Sequence, residues 1–415
     1  MATGRFFAPG RGLAVGALAV AAAFGTAACA SSGSSGGSSG DTYHVPAILS
    51  ITGSASFLGT QERNALLALE RQVNATGGIK GKKLKFDISD NQSSPSVGVS
   101  LASKLIAKSP VLITGSVTST NRPVDNLVTP NGPVIYDLSP GDHPQRGGMV
   151  FSASASTASQ TAAFVNFAKA KGWKRVGAIT STDASGQDGW EGIQKATAAT
   201  NGAVTVTNHE TFAPTDVSVT SQLAKIKSTR PDAIFAWSTG TPVSSVFKGL
   251  QQLGMSKIPL MTTNGNASYA AMQKLASILP AQLFFPGGAF QFEPGQLKGA
   301  QRQVVIDFDT AMKRQGSVVP DEGNALAWDP GLIVVSALRK VGTGASAKDI
   351  SGYINKLQSF TGIAGSYDFV TPSVAPDNRG IGTNSVLISR WDPAKKRWVG
   401  VSGAGGRSLV AGAQS

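Results

Sequence analysis

Hydrophobic positions along the chain switch between two rhythms. Residues 45–51 form a short apolar run that ends at Thr52-Gly53. Over 60–74, Ala65, Leu66, Leu69 and Val73 recur at helical spacing, which predicts an amphipathic helix. The stretch Thr76-Gly77-Gly78-Ile79-Lys80-Gly81 breaks it as a Gly-rich turn. Leu84, Phe86 and Ile88 then alternate, so 83–88 reads as a strand. A helix over 96–107 carries Val97, Leu101, Leu105 and Ile106; a strand follows over 111–114, a helix from near Ser119 and a strand over 133–138. The rhythm restarts after Ser152. Helices over 158–171, 189–199, 217–227 and 243–253 alternate with strands over 175–180, 203–207, 233–237 and 258–262. Residues 297–357 are helix-dominated, and strands return over 385–391 and 397–401. Such alternation predicts an α/β protein whose parallel sheets are covered by helices on both faces. Two blocks in series imply two lobes, and the late strands imply that the chain crosses back between them.

The first forty residues do not follow this rhythm. Arg5 and Arg11 precede an apolar stretch over 12–24, and Gly25-Thr26-Ala27-Ala28 leads to Cys29, the one cysteine in the sequence. A charged start, a short apolar core and small residues describe a secretory signal over 1–28. A single cysteine cannot make an internal disulfide. Placed directly after small residues, Cys29 resembles the lipidation site of bacterial lipoproteins, although Thr26 stands where that pattern usually has Leu. The resemblance implies acylation at Cys29, with residues 29–42 as a flexible Ser/Gly tether. Two or more acyl chains, at about 0.8 kcal/mol per buried CH₂, hold a protein stably on a bilayer. The expected location is therefore outside the cytoplasm, anchored to the cell membrane.

Composition narrows the class. Hydrophobic content of 41% supports a real core, and the net charge of +13 fits solubility or an anionic partner. No basic run is interleaved with aromatic residues, so nucleic acid is not an expected partner. Only three histidines occur, His44, His143 and His209, and none has zinc-ligand spacing. Gly77–Lys82 is too short for a phosphate-binding loop and lacks Ser or Thr after Lys82. Gly400-Val401-Ser402-Gly403 has Ala404 where a nucleophile elbow needs its closing Gly. No enzyme, cofactor or metal is expected on these grounds.

An ordered set of segments carries a family resemblance. They are Thr52-Gly53-Ser54-Ala55-Ser56-Phe57-Leu58-Gly59, Asn74 through Lys82, Asp90-Asn91-Gln92-Ser93, Gly115 through Thr120, and Ala327-Trp328-Asp329. In this order they resemble the extracytoplasmic solute-binding proteins of branched-chain amino acid ABC importers, the leucine/isoleucine/valine-binding family. The resemblance spans about 43–401. It implies a type I periplasmic-binding-protein fold, with two Rossmann-like lobes joined by three crossovers. One lobe is expected over 43–157 and 288–362, the other over 158–287 and 363–401, with a tail over 402–415. It further implies a monomer that closes on a small solute and hands it to a permease and its ATPase. The alternative is a sensory receptor of the same fold.

Open α/β sheets bind ligands at the carboxyl ends of strands, and helix N-termini suit a carboxylate. Candidate ligand contacts are therefore Thr118, Ser119 and Thr120, Leu138 and Ser139, Asp183 and Ser185, Trp237 and Ser238, and Asn264, with Phe57, Leu58 and Trp328 near the cleft. Ser119 or Thr120 could instead be simple helix caps. Three positions depart from the family pattern: Pro140 has no N–H to donate, Ser185 replaces an aromatic residue, and Asn264 replaces the Glu that meets a ligand ammonium. The ligand expected is thus an amino acid, an amide, or an organic or aromatic acid.

Overall fold

The computed structural model describes residues 42–317, 319–374 and 376–408. The expected signal peptide, Cys29 and the Ser/Gly run lie outside the described residues, as does the tail beyond Ser408.

The first block builds β1 (Thr42–Leu49), α1 (Ser56–Ala75), β2 (Lys83–Asp90), α2 (Pro95–Leu105), β3 (Val111–Thr114), α3 (Thr118–Asp125), β4 (Val134–Asp137) and β5 (Val150–Ser152). The strands form a five-stranded sheet, ordered β2-β1-β3-β4-β5, with every neighbour parallel. Its centre is buried on both faces, and the alternation of side chains shows how. Val45, Ala47, Leu49, Ile113 and Tyr136 join the main core, whereas Ile48, Leu112 and Ile135 pack with Ala102 of α2 and Val124 of α3 on the other face.

The second block builds α4 (Thr157–Ala170), β6 (Arg175–Ser181), α5 (Ala184–Ala198), β7 (Thr205–Phe212), α6 (Thr220–Ser228), β8 (Ala233–Trp237), α7 (Val243–Gln252), β9 (Leu260–Thr262), α8 (Tyr269–Lys274) and β10 (Leu283–Gly287). The helical stretch that follows holds α9 (Gly299–Arg314), α10 (Glu322–Val341) and α11 (Ala347–Ile354). Next come a small hairpin, β11 (Phe360–Thr361) and β12 (Ser366–Tyr367), and the late strands β13 (Leu387–Asp392) and β14 (Arg397–Gly400). The second sheet is ordered β14-β13-β10-β9-β8-β6-β7. Its β6 to β10 core is parallel, but β13 and β14 run antiparallel at one edge. A tight turn joins these two strands, with Asp392 Oδ1 accepting from the N–H groups of Ala394 and Lys395, both at 3.0 Å. A connection that short permits only an antiparallel pair.

Core membership locates the passages between lobes. The chain leaves the first sheet at Ser152 and enters the second lobe with α4. It returns after Gly287, since Phe290 joins the first core. The third passage lies between Ile381, in the first core, and Val386, in the second lobe. This is later than the expected switch after 362. The reason is Asp329 on α10. Its carboxylate accepts from the N–H of Ile363, the N–H of Ala364 and the hydroxyl of Tyr367, each at 2.9 Å, and so fastens the β11–β12 hairpin to the first lobe. Residues 363–381 therefore belong with that lobe. Among the described residues no helix is long and apolar enough to cross a membrane.

Candidate functional site

The two sheets present the carboxyl ends of their parallel strands to one cavity of about 250 Å³. The first lobe contributes Ser54, Ala55 and Leu58 after β1, Ser116 to Ser119 after β3, Ser139 to Gly141 after β4, and Leu326 from α10. The second contributes Asp183 and Ser185 after β6, Pro214 and Thr215 after β7, Trp237, Thr239, Thr241 and Pro242 at β8, and Thr263 to Gly265 after β9. The lobes also touch. Arg122 Nη2 on α3 donates to Asp188 Oδ2 on α5 at 2.8 Å, and Asn264 Nδ2 donates to Glu322 Oε1 on α10 at 2.7 Å.

The residue before α3 explains why its start is open. The N-cap is Val117, whose side chain cannot accept a hydrogen bond. Thr120 Oγ1 turns back to the carbonyl of Val117 at 2.8 Å and does not cap the helix. The first helical amides, at Thr118 and Ser119, therefore lack a capping side chain and border the cavity. Thr118 Oγ1 lies 2.7 Å from Ser139 Oγ, which joins the hydroxyls of both strand ends. Ser139 Oγ also accepts from the N–H of Gly141 at 3.3 Å, so the loop that lost a donor at Pro140 is still organised by a hydroxyl.

On the opposite wall, one oxygen of Asp183 is committed to structure. It is the N-cap of α5, and its Oδ1 accepts from the N–H of Gly186 at 3.0 Å and from Ser181 Oγ at 2.7 Å. Ser185 Oγ pairs with Thr239 Oγ1 at 2.9 Å. Both N–H groups of Asn264 are engaged, by Glu322 at 2.7 Å and by Ser154 Oγ at 3.4 Å. Its Oδ1, which takes Thr263 Oγ1 at 3.2 Å, keeps capacity to accept. Gly186 is required by the same turn: a Cβ there would lie 1.9 Å from the carbonyl oxygen of Ser181. Gly186→Ala should cost about 1–3 kcal/mol, the usual range for overpacking, in a urea titration.

Two buried carboxyls stand one layer behind the wall. Glu62 on α1 accepts from Ser116 Oγ, and Glu322 holds Asn264. Glu62 Oε1 and Glu322 Oε2 are buried with no partner among the described residues. Burial pushes both carboxyls up to about 8, only partly opposed by those hydrogen bonds.

Of the residues expected from sequence, Leu58, Thr118, Ser119, Ser139, Asp183, Ser185, Trp237 and Asn264 line the cavity. Five do not, each for a geometric reason. Thr120 sits two residues beyond Thr118, about 200° around the helix, and is buried. Trp328 has the same relation to Leu326 and packs edge-on against Phe308, centroids 5.2 Å apart, in the core. Leu138 and Ser238 are buried beside the lining residues Ser139, Trp237 and Thr239, because strand-like backbone turns alternate side chains to opposite faces. Phe57 lines a neighbouring apolar groove with Val243 and Phe247. Sequence reasoning missed Ser116, Thr239, Thr241 and Thr263, which are small hydroxyl residues in the loops it had already placed.

Comparison with known proteins agrees with this geometry. A family model described as periplasmic binding protein matches residues 42–396. The chain belongs to the periplasmic-binding-protein family, with the type I fold. A Leu/Ile/Val-binding protein homolog 1 from Brucella abortus is 32% identical to this periplasmic binding protein over 107 residues, 26% of this chain and 28% of that protein. The matched stretch thus spans about a quarter of that curated relative. An extracellular ligand-binding receptor from Rhodopseudomonas palustris HaA2 superposes with a TM-score of 0.74 at 23% identity, covering 86% of this chain and 99% of that one. The branched-chain amino acid transporter substrate binding protein LivJ from Streptococcus pneumoniae, solved in complex with isoleucine, gives a TM-score of 0.70 at 18% identity, covering 86% and 97%. For the present chain, its family implies work outside the cytoplasm.

Proposed function

We propose that this protein captures a small carboxylate or amide between its lobes and delivers it to the permease and ATPase of an ABC importer, while Cys29 tethers it to the membrane by lipid. The single observation that carries the ligand assignment is the open start of α3. Uncapped amides at Thr118 and Ser119, with the Thr118–Ser139 hydroxyl pair beside them, suit a carboxylate oxygen. The rest of the wall is neutral apart from Asp183, whose carboxylate already caps α5. A ligand ammonium desolvated here would have only Asp183 Oδ2 to pair with, and burying such a charge without a full set of partners is costly. Opposite α3, the acceptor on Asn264 fits a neutral N–H or O–H. The cavity, near 250 Å³, falls below the ~300–1,000 Å³ of sites for drug-sized ligands, which favours a compact solute over a long acyl chain. Lobe closure is the mechanism: the solute binds the closed form better and shifts the equilibrium towards it, with no bond changed.

The test is a thermal-shift screen with branched-chain amino acids, their amides, and aliphatic and aromatic acids. A ligand of the folded state raises the melting temperature as RT ln(1 + [L]/Kd). An acid or amide should give the largest rise. Thr118→Ala/Ser119→Ala should weaken it about 10–100-fold while the fold persists. A free amino acid as the best ligand would reject this site, and an unchanged titration in the double variant would remove the Thr118 and Ser119 hydroxyls from it and leave the amides alone to carry the carboxylate.

A further inference from the structure

Glu62 stands directly behind Ser116, a lining residue beside the open start of α3. Its side chain is fully buried. One carboxyl oxygen, Oε2, meets Ser116 Oγ, and the other, Oε1, is sealed from water with no partner among the described residues. Helix α1, which carries it, packs against α10, β1, β2 and α9. Burial raises the carboxyl, opposed only by the Ser116 hydroxyl. No charge from Arg63 on α1, Asp321, Glu322 or Asp329 on α10, Asp90 on β2 or Asp309 on α9 enters that balance. An ionised carboxylate is costly in such a place without a cation, so near neutral pH the group holds its proton.

That proton fixes the direction of the hydrogen bond. Oε1 has no acceptor to give it to, so the proton sits on Oε2 and is donated to Ser116 Oγ. A serine hydroxyl has one hydrogen and two lone pairs. One lone pair takes the N–H of Ser50 at 3.3 Å, and Glu62 fills the other. Ser50 is itself held in place. Its Oγ donates to Asn91 Oδ1 at 2.8 Å, and Asn91 Nδ2 donates to the carbonyl of Gly115 at 3.0 Å. The hydrogen of Ser116 is then left for the cavity that this residue borders. An ionised Glu62 reverses the arrangement: it can only accept, and Ser116 must turn its hydrogen away from the cavity to satisfy it.

We propose that protonated Glu62 is a positioning residue, which aims the hydroxyl of Ser116 at the carboxylate of the solute, next to the amides of Thr118 and Ser119. This role rests on the solute presenting a carboxylate to α3. Capture of an acid is thereby linked to one proton on the protein. When Glu62 loses it, the site loses a donor and gains a negative charge behind the wall.

The experiment titrates acetate, 3-methylbutanoate and benzoate into the purified protein by calorimetry at about pH 6 and about pH 9. Carboxylic acids of this kind titrate near 4, so all three probes stay ionised throughout and any change belongs to the protein. Affinity should fall about tenfold across that interval. The Glu62 carboxyl titrates at about 8, so roughly a tenth of it keeps the proton at the upper pH. Glu62→Gln never ionises and can donate to Ser116 at every pH, so the fall should shrink to what Glu322, behind Asn264, leaves. Ser116→Ala should bind about tenfold more weakly already at the lower pH, and its fall should shrink as well. A fall as steep in Glu62→Gln as in the native protein would overturn the proposal, and so would native affinity indifferent to pH. A carboxyl-carbon NMR titration of Glu62 needs no solute: a midpoint near 8 supports the role, and one in the ordinary carboxylate range overturns it. Failure of all three acids to bind at either pH, with that midpoint still near 8, would reject the carboxylate site itself and this role with it, which separates the two failures.

Discussion

The melting temperature is expected to fall as pH rises from about 5 to 8, and Glu62→Gln/Glu322→Gln should make that fall measurably shallower. Burial raises both carboxyls from 4.5 to about 8 in the folded protein. At the acid end, below about 4.5, the folded and unfolded chains both hold the protons, and the contribution is fully present. Between about 4.5 and 8 the unfolded chain has released them and the folded chain has not, so stability drains away as pH climbs. Asp125 and Asp321, raised by burial to about 7, Asp329, raised to about 6, and Asp137 and Asp142, which burial raises well above the usual carboxylate range, act in the same direction. His209 is opposed: burial lowers its value, so its contribution is lost as pH falls. Each tenfold difference in proton affinity between the folded and unfolded chains is worth about 1.4 kcal/mol, so the two glutamates together change stability by several kcal/mol. Glutamine keeps an oxygen to accept from Ser116 and from Asn264, so the contacts survive while the titration disappears. A melting series across pH on the native protein and the double variant decides the matter. Parallel slopes would show that these two groups do not set the pH response.

Trp237→Ala should be the most damaging single truncation in the second lobe. The indole is 1% exposed and stacks on Phe235, with centroids 5.0 Å apart at 19°. Gly189 of α5 packs so tightly on it that a Cβ there would come within 2.3 Å of the ring. A hole in such a site costs about 3–5 kcal/mol. Trp237 also lines the cavity, so the variant should accept bulkier apolar acids in the thermal-shift screen. Urea denaturation measures the first effect, and a loss under about 1 kcal/mol would mean that the surrounding side chains collapse into the space.

The sequence pattern exposed the architecture because parallel strands covered on both faces are continuous apolar runs. The strand over 111–114 was legible to the residue, since all four of its residues are buried. Boundaries slipped where polar residues begin an element: α1 starts at Ser56, four residues before the apolar spacing becomes visible, and α5 starts at Ala184 in a Ser/Gly-rich turn. The strand β10 went unseen because Pro286 and Gly287 disguise it. For the cleft, the loops were legible from the rule that strand ends carry the site. The choice between adjacent residues was not, because it depends on which way each side chain turns. Glu62 and Glu322 were out of reach for another reason. A glutamate near a helix start reads as an exposed partner of the helix dipole, and nothing local reveals that the opposite lobe or a neighbouring loop has sealed it from water.

Three passages between the lobes constrain assembly. Neither lobe is one continuous stretch of chain. The helix α1 packs in the same core as Trp328, Val334 and Leu338 of α10, residues that are made hundreds of peptide bonds later. The lobe begun first during synthesis is thus among the last portions to be completed, and a chain halted before α10 carries an unfinished core with its apolar face uncovered.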